Sequence, residues 1–321
     1  MPLITNDIDL AVHDLNAGKP VAIPTETVYG LAALYNNEQA VRAVFAMKER
    51  PLNHPLIVHV AKDWDLSNLV EQMPAYTEQL IKAFWPGPLT LVLRSKLGKI
   101  NPLITGGQST VAIRCPAHPV AQELLTKLHT PIVAPSANPF GKISPTTALH
   151  VQESFPDKEL TILDGGRCAV GIESTIIDAT QEEYYQILRH GLIDEKAIAK
   201  VITTPSFNQQ SDVRVPGKLD SHYQPQKTLY YFADYAALAQ FCQNKTTAIY
   251  AIASKRPEHV AEHHFHLLAQ QPEQAAFDLY YQLRKADTSQ AQCIAIELPP
   301  ATGIWQGVRE RILKAGRPYS D

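Results

Sequence analysis

The sequence predicts an α/β protein in two parts. Short apolar runs with strand character alternate with segments whose apolar residues recur at helical spacing. That alternation breaks between about Thr203 and Lys227, where Pro, Ser, Asn, Gln and Asp dominate, and then resumes. The length of 321 residues, 45% of them hydrophobic, also exceeds the ~100 to 200 residues typical of one domain.

In chain order, an amphipathic helix is expected around Ile8 to Leu15, with Ile8, Val12 and Leu15 at helical spacing. It runs through Gly18 into the strand Val21-Ala22-Ile23, which Pro24 ends. Residues 38 to 48 set Ala40, Val41, Val44 and Phe45 on one helical face, and Pro55 is followed by the strand Leu56-Ile57-Val58-His59-Val60, so residues 21 to 60 read as strand, loop, helix, loop, strand. Further strands are expected at Leu89 to Leu93, Val111 to Arg114, Ile132 to Ala134, Thr161 to Leu163 and Thr175 to Asp178, with helices near 75 to 84, 118 to 128 and 192 to 200. After the break, strands at 228 to 232, 247 to 252 and 293 to 297 alternate with helices near 234 to 242, 272 to 285 and 307 to 315. The expected organisation is a first domain over 1–203, a linker over 204–227 interrupted by Val213-Arg214-Val215-Pro216-Gly217 and His222-Tyr223, and a smaller α/β domain over 228–321.

The net charge of -3 gives no overall basic field. Before residue 206, 17 Lys+Arg stand against 21 Asp+Glu, so stable binding of nucleic acid is not expected. Cys115, Cys168, Cys242 and Cys293 form no CxxC pair and are expected to be reduced structural thiols in a cytoplasmic protein. The N-terminus lacks a basic and apolar signal pattern, and no apolar run approaches the ~18 residues of a membrane span. No GxxxxGK[ST], no strand-borne GxGxxG and no GxSxG occurs, which removes the P-loop, Rossmann dinucleotide and serine-elbow readings. His263, His264 and His266 have no acidic or Cys partner nearby in sequence and read as a solvated polar stretch, not a metal site.

Several polar sets could carry chemistry. Pro24-Thr25-Glu26-Thr27-Val28-Tyr29-Gly30 leaves a strand end, where open α/β sheets bind ligands, or it is an ordinary polar turn. Lys48-Glu49-Arg50 ends a helix, so its cations either answer the helix dipole or grip a polyphosphate. His59 is either a ligand contact or a core histidine. Ser136-Ala137-Asn138, Ser144-Pro145-Thr146 and Ser174-Thr175 place short hydroxyl and amide groups on Gly- or Pro-framed loops, as caps, as turns or as one polar lining for ribose, phosphate or an amino acid.

These residues, with Pro55 to His59, Gly171 to Thr175 and Arg189-His190-Gly191, resemble in order and spacing the YrdC-like threonylcarbamoyl-AMP synthase family over roughly residues 5 to 200. Val215-Pro216-Gly217, His222-Tyr223-Gln224-Pro225 and Arg309 to Ala315 resemble the linker and C-terminal end of its longer, two-domain members. The resemblance implies a twisted open mixed sheet with flanking helices, a smaller Rossmann-like C-terminal domain, and synthesis of threonylcarbamoyl-AMP and pyrophosphate from L-threonine, bicarbonate and ATP. The product would then serve modification of adenosine 37 of certain tRNAs by a downstream transferase machinery. By matching position, Thr27, His59, Arg114, Ser136 and Ser174 would line the threonine side. Lys48, Arg50, His54, Asn138, Ser144 and Arg189 would hold ATP, with His222 and Tyr223 brought in from the linker. His54 stands where the family often has Asn or Lys, and Lys218-Leu219-Asp220-Ser221 precedes His222 where a pattern nearer Lys-Tyr-Arg-His-Tyr is common.

The implied chemistry needs positioning and charge neutralisation more than a covalent nucleophile. Lys48 and Arg50, with Mg2+ assisting, would stabilise the leaving pyrophosphate. With Glu26 and Glu49 as the carboxylates of these motifs, the metal is expected to ride mainly on the phosphates. The competing classes are a non-catalytic module for double-stranded RNA or tRNA and a carbamoyl-transfer enzyme, the latter without its expected zinc-finger Cys pairs here.

Overall fold

The computed structural model describes residues 1–207, 211–217 and 222–319. Two sheets organise it. The first collects β1 (Leu3–Thr5), β2 (Val21–Ile23), β3 (Gly30–Leu34), β4 (Ile57–His59), β5 (Leu89–Arg94), β6 (Thr110–Arg114), β7 (Ile132–Val133), β8 (Thr161–Leu163), β9 (Thr175–Asp178) and β10 (Gln186–Arg189). Their spatial order is β1-β8-β2-β3-β7-β4-β6-β5-β9-β10, with parallel and antiparallel neighbours mixed. Around it lie α1 (Ile8–Asn16), α2 (Glu38–Lys48), α3 (Ala75–Phe84), α4 (Pro102–Thr105), α5 (Pro119–Leu128), α6 (Ala148–Ser154) and α7 (Glu195–Ala199).

The second sheet is entirely parallel, in the order β13-β12-β14-β11-β15, from β11 (Thr228–Phe232), β12 (Ile249–Ala253), β13 (Phe265–Leu267), β14 (Cys293–Glu297) and β15 (Arg317–Pro318). Its helices are α8 (Tyr235–Asn244), α9 (Pro272–Thr288) and α10 (Trp305–Ala315). Parallel sheets need both faces covered, and the run Ile249 to Ala253 is buried throughout, without alternation.

Sheet periodicity distributes the core of the first sheet. Val58, Leu91, Ile113 and Val133 point to the side packed by α2, where Val41, Val44 and Phe45 are buried. Val21, Ile23 and Ile132 meet Ala11 and Leu15 of α1 and Leu124, Leu125 and Leu128 of α5. On the face opposite α2, Ile57, Val92, Ala112 and Ile176 are covered by Val215 from the connecting chain. Arg214 pins that chain by donating to Asn53 O (2.9 Å) and Gly106 O (2.7 Å).

Several elements differ from the sequence expectation. Residues 21 to 60 contain a second strand, β3, antiparallel to β2, so the Pro24 to Tyr29 loop joins two neighbours in the sheet before the helix begins. Gly30-Leu31-Ala32-Ala33-Leu34 is small, apolar and buried almost throughout, with no alternation to reveal it. The short edge strands β1, β10, β13 and β15 and the short helices α4 and α6 were likewise not anticipated. Of the 263 to 266 histidines, His263 is exposed as expected, but the stretch is structured. It spans a 3-10 turn, Glu262–His264, and the edge strand β13, and His264 is buried.

The two sheets share a packed boundary. Val28, Ile143, Ile172 and Tyr223 join one apolar cluster with Ala275, Ala276, Leu279, Tyr280 and Ile312. Arg167 lies over the rings of Phe277 (3.6 Å) and Tyr281 (4.2 Å) and pairs with Asp278 at 2.8 Å. Gly171 has φ +85°, and a Cβ there would stand 2.5 Å from Ala276 O and Phe277 Cα of α9. Gly171→Ala is therefore expected to destabilise the protein by about 2 to 4 kcal/mol, combining left-handed strain with overpacking. Urea unfolding that finds a change below 1 kcal/mol would contradict this close packing.

Candidate active site

The turn after α2 delivers two cations to one place. Glu49 caps the helix in the left-handed region (φ 55°), and Arg50 N donates back to Phe45 O at 2.9 Å. Lys48 and Arg50, on either side of that turn, are both buried, whereas Glu49 is exposed. Lys48 Nζ donates to Ser136 O and Asn138 O, each at 2.5 Å, which accounts for two of its three hydrogens. Burial, with Arg50 nearby, holds its ammonium well below the usual lysine range. Arg50 donates to Pro55 O at 2.9 Å and lies against the Phe140 ring, while its Nε has no partner among the described residues. Burial lowers it to about 10.

The adjacent parallel strands β4 and β6 pair Ile57 with Ala112 and His59 with Arg114. The two-residue period thus sets both polar side chains on the face opposite the α2 core. Arg114 donates to Thr27 Oγ1 (2.8 Å) and Glu26 Oε1 (2.6 Å), and Glu26 Oε2 also accepts from Ala117 N at 2.9 Å. The His59 ring faces Ile57 O through Nδ1 at 3.1 Å; a carbonyl only accepts, so Nδ1 carries the proton and Nε2 is left as an acceptor. Burial, then the Arg114 charge, pulls this ring down to about 3, which keeps it neutral.

The 24 to 30 loop is internally stitched. Thr25 Oγ1 donates to Val28 O at 2.6 Å and lies 2.9 Å from Thr27 Oγ1, and the backbone carbonyls of Glu26 and Thr27 accept from Val170 and Gly171. On the far wall, Arg189 donates to Ser174 O and Ser174 Oγ, both at 3.0 Å, and to Pro216 O at 3.1 Å. Ser174 Oγ is also 2.7 Å from Thr90 Oγ1.

Ten of the expected residues, Thr27, Lys48, Arg50, His59, Arg114, Ser136, Asn138, Arg189, His222 and Tyr223, line one cavity of about 60 Å³. Three do not reach its wall. Ser144 is held by Glu173, Ser174 sits behind Arg189, and His54 stacks edge-on against Phe140, with its ring basicity lowered by burial and by Arg50 and Arg214. Lys218 to Ser221 lie outside the described residues.

Sequence reasoning passed over Glu173, which lines the cavity and accepts from Ser144 Oγ (2.6 Å), Tyr280 OH (2.9 Å) and Arg311 Nε (3.0 Å). Glu26 and Glu49 are therefore not the only carboxylates of the motifs. The available signal was its place inside Gly171 to Thr175. Its partners on α9 and α10 are more than a hundred residues away in sequence.

Polar atoms without partners among the described residues converge on the cavity: Arg50 Nε, Asn138 Oδ1 and His222 Nδ1 are all buried. Such atoms carry a desolvation cost that a bound polar ligand would remove. The wall is not built for a protein-held Mg2+. No group of three or more His, Cys, Asp or Glu side chains stands ready for a metal among the described residues, and Glu26 and Glu173 are already paired with arginines.

His59, His150 and His222 are all buried, and burial draws each to about 3. The unfolded chain then binds more protons than the folded one between about pH 6.5 and 3, so stability is complete above that window and falls as the pH drops through it. Each ring contributes up to ~1.4 kcal/mol per pH unit. His150→Gln, away from the cavity, is expected to flatten the decline between pH 6 and 4 without abolishing it, since other histidines drawn down by burial share it; urea titrations giving parallel slopes would contradict the neutral assignment.

Residues 13–191 match the family model described as "Telomere recombination", and residues 193–316 match "Threonylcarbamoyl-AMP synthase, C-terminal domain". The threonylcarbamoyl-AMP synthase of Pyrococcus abyssi is 44% identical over 224 residues, which span 68% of this chain and 65% of that protein. That of Bacillus subtilis is 35% identical over 327 residues, 98% of this chain and 94% of the relative. The crystal structure of P. abyssi Sua5 complexed with L-threonine superposes with a TM-score of 0.87 at 32% identity, covering 99% of this chain and all of that one. With both family models matched in sequence and the fold shared end to end, the chain belongs to the two-domain threonylcarbamoyl-AMP synthase family.

Proposed function

We propose that this chain condenses L-threonine, bicarbonate and ATP into threonylcarbamoyl-AMP and pyrophosphate, the adenylate then feeding a downstream tRNA-modifying transferase in the cytoplasm. The observation that carries this reading is the convergence of Lys48, Arg50 and Arg189 on one cavity with Arg50 Nε, Asn138 Oδ1 and His222 Nδ1, which have no partner among the described residues. That wall suits a polyphosphate. On the opposite side, Thr27, Arg114, Ser136 and the acceptor Nε2 of His59 suit a small zwitterion, and the L-threonine complex of the P. abyssi relative supports this half.

In the proposed reaction the threonine amine attacks the carbon of CO2, or of bicarbonate with loss of its hydroxyl oxygen as water, gives up a proton to solvent and becomes a carbamate. A carbamate oxygen then attacks the α-phosphorus, and the bond to pyrophosphate breaks. Arg114, with its charge aligned by Glu26, holds the threonine carboxylate, and neutral His59 receives a hydrogen bond without adding charge. Lys48 and Arg50 neutralise the departing pyrophosphate. Mg2+ would be carried on the phosphates, where it would add to charge neutralisation, since Glu26 and Glu173 are already paired with arginines.

A cavity of about 60 Å³ is far below the roughly 300 to 1,000 Å³ of small-molecule sites. A bound nucleotide therefore needs more room than this cavity gives. The cations that line it are buried, which favours a small anion over an RNA duplex, whose phosphates need an exposed surface. No described helix is long and apolar enough to cross a membrane.

Incubation with ATP, L-threonine and labelled bicarbonate is expected to yield a labelled adenylate and pyrophosphate; ATP consumption independent of threonine would overturn the reading. Lys48→Met and Arg50→Met are each expected to lower kcat/KM by about 100- to 1,000-fold, the loss found for preorganised charge-stabilising groups. Turnover within a few-fold of the parent in folded protein would remove both residues from the chemistry.

A further inference from the structure

Glu173 is gripped from both sheets at once. Its Oε1 accepts from Ser144 in the catalytic half, and its Oε2 accepts from Tyr280 of α9 and Arg311 of α10. The same guanidinium donates to Glu173 O (3.3 Å) and to His190 O (2.6 Å), so it ties down the residues next to both Ser174 and Arg189. Neither Arg311 nor Tyr280 lines the cavity, whereas Glu173 and Arg189 do. We propose that Arg311 and Tyr280 are positioning residues for the reaction: through Glu173 and His190, the C-terminal domain sets the ATP-side wall formed by Glu173 and Arg189, with Ser144 held behind it. This inference rests on the ATP-side assignment proposed above.

The packing leaves no slack for the alternative of a loosely docked cover. Gly307 of α10 lies against Gly191, where a Cβ would stand 3.0 Å from Gly191 O. His190 N donates to Glu310 Oε2 at 3.2 Å, so α10 meets the 189 to 191 turn from both sides. Arg311 and Tyr280 are fully buried.

The charge arrangement points the same way. A buried ion pair gives little stability over apolar residues of similar volume, because desolvation offsets the attraction. Its consequence here is geometric. The Ser144 hydroxyl has one proton, and that proton is committed to Glu173, which fixes the rotamer of Ser144 and leaves its lone pairs as acceptors. Burial pushes the Glu173 carboxyl up, but Arg311 and Arg189, with the hydrogen bonds of Ser144 and Arg311, outweigh it and bring the group down to about 2. Without Arg311 the carboxylate would take up a proton or draw Arg189 away from Ser174 and Pro216, and the wall would change shape.

The test measures melting temperature, ATP Kd and steady-state kinetics on the full chain. Tyr280→Phe keeps the volume and removes one hydrogen bond to the carboxylate. It is expected to keep the melting temperature within a few degrees and to raise the ATP Kd and KM about tenfold, with the threonine KM changed less than twofold. Arg311→Met is expected to lower both stability and ATP affinity. Adding Glu173→Gln to Arg311→Met removes the unpaired buried charge, so stability should return while ATP affinity does not. ATP affinity recovering with stability in the double variant, or wild-type ATP parameters in Tyr280→Phe, would reduce the bridge to a structural tie and overturn the proposal. If the parent binds ATP but releases no pyrophosphate with threonine, the proposed reaction falls, and the ATP Kd series still decides the positioning role.

Discussion

A single carboxylate out of water organises this molecule. Glu173 must be answered by donors wherever it is buried, and its donors come from Ser144 on one side and Tyr280 and Arg311 on the other. The second sheet cannot withdraw without stranding that charge, so the boundary between the halves is fixed at the cavity wall itself. At the same boundary α9 closely approaches Gly171 and α10 closely approaches Gly191.

The remaining charges of the cavity are arranged differently. Arg114 has a carboxylate partner in Glu26, and the pair works as a rigid fork beside Thr27. Lys48, Arg50 and Arg189 are hydrogen-bonded to backbone carbonyls or hydroxyls and to no carboxylate among the described residues. Lys48 and Arg50, held this way, have no carboxylate partner among the described residues, and an anion arriving between them would gain charge-assisted hydrogen bonds. One side of the cavity thus pairs its arginine with a carboxylate, and the other holds its cations mainly on neutral acceptors.

The long helices were legible because their apolar residues repeat with a period near 3.6. Residues 38 to 48 and 75 to 84 coincide with α2 and α3, and 161 to 163, 175 to 178, 228 to 232 and 293 to 297 coincide with strands. What escaped were elements too short or too uniform to show a period, such as β3 with its small apolar residues and the edge strands β1 and β13. Of the site, type and spacing left Lys48, Arg50 and His59 as open candidates, the family resemblance assigned them to it, and ten of the expected residues meet at one cavity. Glu173 could not be assigned a role, since nothing in its neighbourhood distinguishes a surface carboxylate from one awaiting Arg311 138 positions later.

Sequence alone determined the α/β class and the set of polar segments that could form a site, because each depends on composition or on periodicity over a few residues. Tertiary structure decided which of those segments share a cavity, that His59 is neutral and paired in register with Arg114, and that the C-terminal helices close on Glu173. These depend on strand order, burial and the pairing of charges far apart in the chain. A side chain's protonation and orientation are set by the dielectric and the donors around it, and only the folded arrangement of distant segments supplies those.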